Sequence, residues 1–76
     1  MNIREAKEAY ESGELFGADV LRSPENKFHW FLILRDRHAK HFMLIGDDED
    51  VETYASIDAA ANVASHIGFK YINVKL

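Results

Sequence analysis

The chain has no cysteine and a single proline, Pro24, among its 76 residues. Without cysteine there is neither a disulfide framework nor a thiolate zinc site, which are the usual reinforcements of a very small domain. A chain this short buries only about 60% of its unfolded surface on folding. Its length excludes a two-domain enzyme, so stability must come from one core, from self-association, or from both.

Long apolar segments are also missing. The most apolar stretch, residues 28–34, has seven residues, whereas a helix that spans a bilayer needs about 20. The first eight residues are charged from Arg4 onward, so they lack the apolar core of a signal peptide. We therefore expect a cytoplasmic protein with no membrane partner.

The usual catalytic motifs are absent as well. The chain contains no glycine-rich phosphate loop, no G-x-S-x-G sequence and no cysteine nucleophile. His38 and His41 are three residues apart, but no further histidine lies near them in sequence to complete a zinc site. The sequence predicts a protein that is not an enzyme, with no catalytic residue, no metal and no cofactor.

Two segments have the spacing of amphipathic helices. The first helix is predicted over residues 3–12. Asn2, just before it, and Glu5 form a capping-box pattern, and Gly13 provides a stop. The second helix is predicted from Ile57 to Ile67, with Ser56 as its N-cap. Its apolar face contains six residues: Ile57, Ala60, Ala61, Val63, Ala64 and Ile67. Gly68 ends this helix.

The remaining apolar segments predict strands. They are residues 15–22, 28–35, 41–45 and 69–76, with a further short strand at 51–55. Phe16, Ala18 and Val20 alternate with Gly17 and Asp19, which places these three on one face. We predict one α+β domain over residues 1–76 with two layers, in the order helix, three or four antiparallel strands, helix, strand.

The predicted sheet has apolar residues on both of its faces. Alternation separates Phe28, Trp30, Leu32 and Leu34 from five residues on the other face: His29, Phe31, Ile33, Met43 and Ile45. A sheet with one wet face should be polar there. Either the two helices cover opposite faces, or the first helix folds across an edge, or a homodimer forms sheet to sheet.

The charges form two clusters. The acidic loop comprises Asp47, Asp48, Glu49, Asp50 and Glu52, five of the 13 acids. The basic turn comprises Arg35, Arg37, His38, Lys40 and His41. The predicted strand between them separates the clusters by about 20 Å. They either steer a charged partner or are ordinary solvated loops.

Nucleic acid is an unfavoured partner at this stage. The element order resembles that of double-stranded RNA-binding domains, but the second helix contains no lysine or arginine, and the pI is about 5.4. Two alternatives to a protein-interaction function are kept. One is an acidic mimic of nucleic acid that inhibits a nucleic-acid-binding protein, and the other is direct binding of nucleic acid through the basic turn, residues 35–41.

Several segments resemble small plasmid-borne proteins that are described as partition-associated. They are residues 3–13, Arg22-Ser23-Pro24, residues 56–60 and Ile67-Gly68-Phe69. The shared motifs are a helix stop, a turn and a capped helix, so they identify no functional residue. The resemblance implies an accessory role in plasmid or phage maintenance. The sequence as a whole predicts a small protein-interaction module that forms a homodimer.

Overall fold

The computed structural model describes residues 1–25, 28–46 and 50–75. The elements are α1 (Ile3–Glu11), β1 (Leu15–Arg22), β2 (Trp30–Asp36), β3 (His41–Met43), α2 (Ile57–Ile67) and β4 (Asn73–Lys75). They form an α+β domain whose sheet has the strand order β3-β2-β1-β4. Over the described ranges, neither helix has the length and apolar character needed to cross a membrane.

The first three strands are antiparallel, as predicted, whereas the last strand, to which the sequence analysis assigned no direction, is parallel to its neighbour. β1 pairs antiparallel with β2, and β2 pairs antiparallel with β3. β4 instead runs parallel to β1. A parallel neighbour requires a crossover connection, and the segment containing α2 carries the chain across the sheet to supply it.

Both helices begin and end with the caps that the sequence predicts. At α1, the Glu5 N–H donates to Asn2 Oδ1 (2.8 Å), and the Asn2 N–H donates to Glu5 Oε1 (2.9 Å). Gly13 follows the helix with a φ of 82°. At α2, the Ala59 N–H donates to Ser56 Oγ at 3.0 Å. Gly68 ends α2 with a φ of 133°.

Both helices pack on the same face of the sheet. α1 contacts β1, α2 contacts β1 and β2, and the helices contact each other. Ala6, Ala60 and Ala64 are fully buried where the helices meet the sheet, because small side chains permit close approach. The buried residues beneath them include Ala18, Val20, Leu32 and Leu34. The alternative with the two helices on opposite faces is therefore wrong.

Three predicted strands are shorter in the structure, and a fourth is not a strand. Phe28 precedes β2 and is 71% exposed, because β2 begins at Trp30. β3 ends at Met43, and residues 51–55 contribute isolated bridges, Ile45 with Val51 and Trp30 with Tyr54, rather than a strand. The last strand covers Asn73–Lys75 instead of 69–76. Leu76 lies outside the described residues.

A bulge at the start of β1 changes the direction of Phe16. Leu15 pairs with Asp36 while Gly17 pairs with Arg35, so one extra residue stands between the two pairs. Leu15 is buried as a result, and Phe16 is 67% exposed. The prediction that Phe16 shares one face with Ala18 and Val20 is wrong.

Candidate interaction surface on the open sheet face

The sheet face opposite the helices is called the open face here. Its apolar members, Leu21, Phe31, Ile33 and Met43, are half-buried. They alternate along the strands with residues beneath the helices, and none of them belongs to the helix-covered core. The register places Leu21 opposite Phe31 and Ile33 opposite Met43. Neither helix covers this apolar group, so a partner can contact it.

The structure brings together most of the residues predicted for this face. Phe31, Ile33 and Met43 are neighbours on adjacent strands. His29, just before β2, lines a groove of about 380 Å³ together with Phe31 and Met43. Ile45 does not join them: it lines a separate cavity beside the beginning of α1.

The sequence analysis did not identify the polar group beside these residues, the Asp19 cluster of Asp19, Arg35, Asn73 and Lys75. Asp19 is 4% exposed. Its Oδ2 lies 3.1 Å from Arg35 Nε and 3.8 Å from Lys75 Nζ. Its Oδ1 accepts a hydrogen bond from Asn73 Nδ2 (3.2 Å) and a longer one from Arg35 Nη2 (3.5 Å). The cluster neutralises a buried carboxylate next to the apolar group.

The cluster depends on the sheet rather than on local sequence. Arg35 lies over Gly17, where a Cβ would collide with Arg35 Nη2. Asn73 reaches Asp19 because β4 pairs with β1. The Arg35 Nε contact with Asp19 is an ion pair without hydrogen-bond geometry. Two features of the sequence could have indicated this cluster: the acidic Asp19 within an apolar strand, and Gly17 two residues before it.

The basic turn lies at one end of the open face. Arg37, His38, Lys40 and His41 are exposed there, whereas Arg35 belongs to the Asp19 cluster. Asp50 and Glu52, which follow β3 in the chain, are also exposed. The other members of the acidic loop, Asp47, Asp48 and Glu49, lie outside the described residues.

Asp36 fixes the shape of the basic turn. Its Oδ1 accepts hydrogen bonds from the backbone N–H groups of His38 and Lys40, both at 2.8 Å. Desolvation raises the pKa of Asp36, but these two hydrogen bonds and the positive charges of the same residues outweigh it. The pKa is therefore below its ordinary value of 3.8.

This lowered pKa predicts acid sensitivity. The folded protein keeps Asp36 ionised at pH values where the unfolded chain is protonated, so the stabilisation is complete above pH 3.8 and is lost as the pH falls through the folded-state pKa. In Asp36→Asn, which keeps an acceptor oxygen but cannot titrate, we expect a shallower fall in the free energy of unfolding below pH 3.8. Urea unfolding of both proteins from pH 2.5 to 7 measures the difference, and parallel curves would contradict the prediction.

Metal ligands do not converge in the described part of the chain. Across residues 1–25, 28–46 and 50–75, no three histidine or acidic side chains are grouped so that they could hold a metal ion. His38 and His41, the pair with suggestive spacing, are exposed on the basic turn and at the start of β3.

Comparison with known proteins does not add a function to this geometry. No protein-family model matches the chain, and searches of curated proteins and of solved structures found no similar protein. The resemblance to plasmid partition-associated proteins therefore stays a prediction.

Proposed function

We propose that the protein is a non-enzymatic interaction module that forms a homodimer through its open face. The observation that carries the proposal is the position of both helices on one side of the sheet, so that neither helix covers Leu21, Phe31, Ile33 and Met43. A sheet that is apolar on both faces is stable when each face packs against another layer. A second copy of the sheet provides that layer, about 10 Å away.

The distribution of charge favours a second copy as the partner. A two-fold dimer brings the same face of each copy together. If the strands of the two sheets run in opposite directions, the basic turn of one copy lies toward Asp50 and Glu52 of the other. Asp19 is already neutralised by Arg35 within its own chain, so pairing two open faces does not bury an uncompensated carboxylate.

The strength of this dimer follows from the apolar group. Four half-buried side chains in each copy gain roughly 1 kcal/mol each when they are fully buried, about half the value for a fully exposed side chain. The total of about 8 kcal/mol opposes an association cost of about 4–15 kcal/mol. At the lower end of that cost about 4 kcal/mol remains, which corresponds to a dissociation constant of about 1 mM.

Sedimentation velocity from about 30 μM to 3 mM tests the proposal, because this range spans the expected dissociation constant. The wild-type protein should change from monomer to dimer over this range. Phe31→Asp and Ile33→Asp should remain monomeric with an unchanged circular dichroism spectrum, because a carboxylate cannot be buried between two apolar faces without a partner. Ile3→Asp is the matched control, since it places the same charge on an exposed residue of α1 and should dimerise normally.

Two results would count against the homodimer. One is a wild-type protein that remains monomeric at about 3 mM. The other is an Ile33→Thr variant that dimerises as strongly as the wild type. Threonine suits a strand, so this variant should stay folded even if both aspartate variants unfold, and we expect it to weaken dimerisation about tenfold.

A further inference from the structure

A second surface lies at the end of the domain where β1 begins. Phe16 is 67% exposed and Tyr71 is 86% exposed. Both line a groove of about 500 Å³, together with Tyr10 and Phe69. We call it the aromatic groove. Large exposed aromatic side chains are costly to leave in water, and where two of them share a groove they indicate a binding site.

The base of the aromatic groove is firmly packed. The rings of Tyr10 and Phe69 meet edge to face with their centroids 4.7 Å apart. Gly68 lies against the Tyr10 ring, where a Cβ would be 2.6 Å from it. Phe16 is turned outward by the bulge in β1. The two exposed rings therefore stand on a base that is already formed.

Positive charges border these rings. The Arg37 guanidinium lies 5.9 Å from the centre of the Phe16 ring, and Lys70 lines the groove. Of the acids in the same part of the chain, Asp36 is engaged by the backbone of the turn, and Glu11 and Glu14 are exposed. A ligand that lies on the two rings would therefore meet the cations Arg37 and Lys70.

We propose that the aromatic groove binds a short segment of single-stranded nucleic acid. Bases stack on Phe16 and Tyr71, while Arg37 and Lys70 contact the phosphates on either side. Exposed aromatic rings bordered by cations are the features with which proteins hold single strands without base-specific contacts. A proline-rich peptide also docks on aromatic rings, but it leaves the cations without a role. The groove is separate from the open face, so this proposal does not depend on the homodimer.

Fluorescence anisotropy with a labelled 12-nucleotide oligo(dT) tests this proposal. Binding should fall with salt, because two neutralised phosphates on a single strand give a slope of about −1.4 in log affinity against log salt. That slope corresponds to a loss of about 7-fold between 50 and 200 mM NaCl. A duplex of the same length should bind more weakly, since its bases are already stacked on one another.

Substitutions separate stacking from charge. Tyr71→Ala and Phe16→Ala should each weaken binding at least fivefold and leave the salt slope unchanged. Arg37→Ala with Lys70→Ala should weaken binding and reduce the slope by about 1.4. Lys7→Ala, on the exposed side of α1, is the control and should bind as the wild type does. Phe31→Asp should bind the oligonucleotide even as a monomer.

Three results would overturn the proposal. The first is no anisotropy change with 500 μM protein in 50 mM NaCl. The second is binding that Tyr71→Ala leaves unchanged, or equal binding of duplex and single strand, since either would indicate general attraction between charges. The third is a proline-rich peptide that binds in a Tyr71-dependent way while oligonucleotides do not, which would assign the groove to a protein partner.

Discussion

Gly68→Ala is expected to destabilise the domain by about 2–6 kcal/mol. The backbone at Gly68 has a φ of 133°, a conformation that costs a residue with a side chain about 1–3 kcal/mol. The added Cβ would also lie 2.6 Å from the Tyr10 ring, and such overpacking costs about 1–3 kcal/mol more. A domain of this size has a total stability of about 4–11 kcal/mol. The variant should therefore lose a large share of its stability and unfold at a lower urea concentration than the wild type.

Gly13→Ala is the matched control. Gly13 also has a positive φ, 82°, but a Cβ there would have no described atom within 4 Å. We expect this variant to lose only about 1–2 kcal/mol, the cost of the left-handed backbone. Urea unfolding gives both values from the midpoint and slope. Equal losses in the two variants would show that the contact with Tyr10 contributes nothing.

A second substitution isolates the contact with the ring. In a Tyr10→Ala background, the ring that the new Cβ would meet is gone, so Gly68→Ala should cost about 1–3 kcal/mol from the backbone alone. The difference between the two backgrounds measures the collision as a coupling energy. A coupling below about 0.5 kcal/mol would mean that the ring moves aside freely. That result would also contradict the firmly packed base of the aromatic groove.

Residues that act on their immediate neighbours were predictable from the sequence. Asn2, Glu5 and Ser56 satisfy helix N–H groups within three residues, so the sequence predicts where both helices begin. Gly68 stops α2 as predicted, because its backbone conformation is costly for a residue with a side chain. Alternation along β2 also placed Phe31 and Ile33 on the face opposite Leu32 and Leu34.

Features that depend on pairing between distant strands were not predictable. Phe16 turns outward because of how Leu15 and Gly17 pair with β2, and no local pattern contains that register. Asp19 meets Asn73, 54 residues later, only because β4 lies parallel to β1. The aromatic groove joins the beginning of β1 to the segment before β4. The polar residues beside the open face and the aromatic residues of the groove are therefore both brought together by the tertiary structure.

The Asp19 cluster gives the second large effect, through Arg35→Met. This variant removes the cation closest to the carboxylate of Asp19, whose side chain is 6% exposed. Asn73 and the more distant Lys75 remain as partners of that carboxylate. Breaking a fully buried ion pair costs about 3–5 kcal/mol. Arg35 is 36% exposed, so water compensates part of the loss, and we expect about 2–4 kcal/mol. Lys75→Met is the control and should cost less than about 1 kcal/mol, because its side chain is 64% exposed.

The double variant Asp19→Leu/Arg35→Met distinguishes the need for a cation from the need for the charged pair itself. With both charges removed, no desolvated carboxylate remains, and apolar side chains of similar size fill the space. Replacement of buried ion pairs in this way is often neutral or stabilising, so the double variant should recover most of the stability lost in Arg35→Met. It should also dimerise more strongly, since it extends the apolar group of the open face across β1. A double variant as unstable as Arg35→Met would show that the hydrogen bond from Asn73 to Asp19, and with it the pairing of β4, is what the cluster protects.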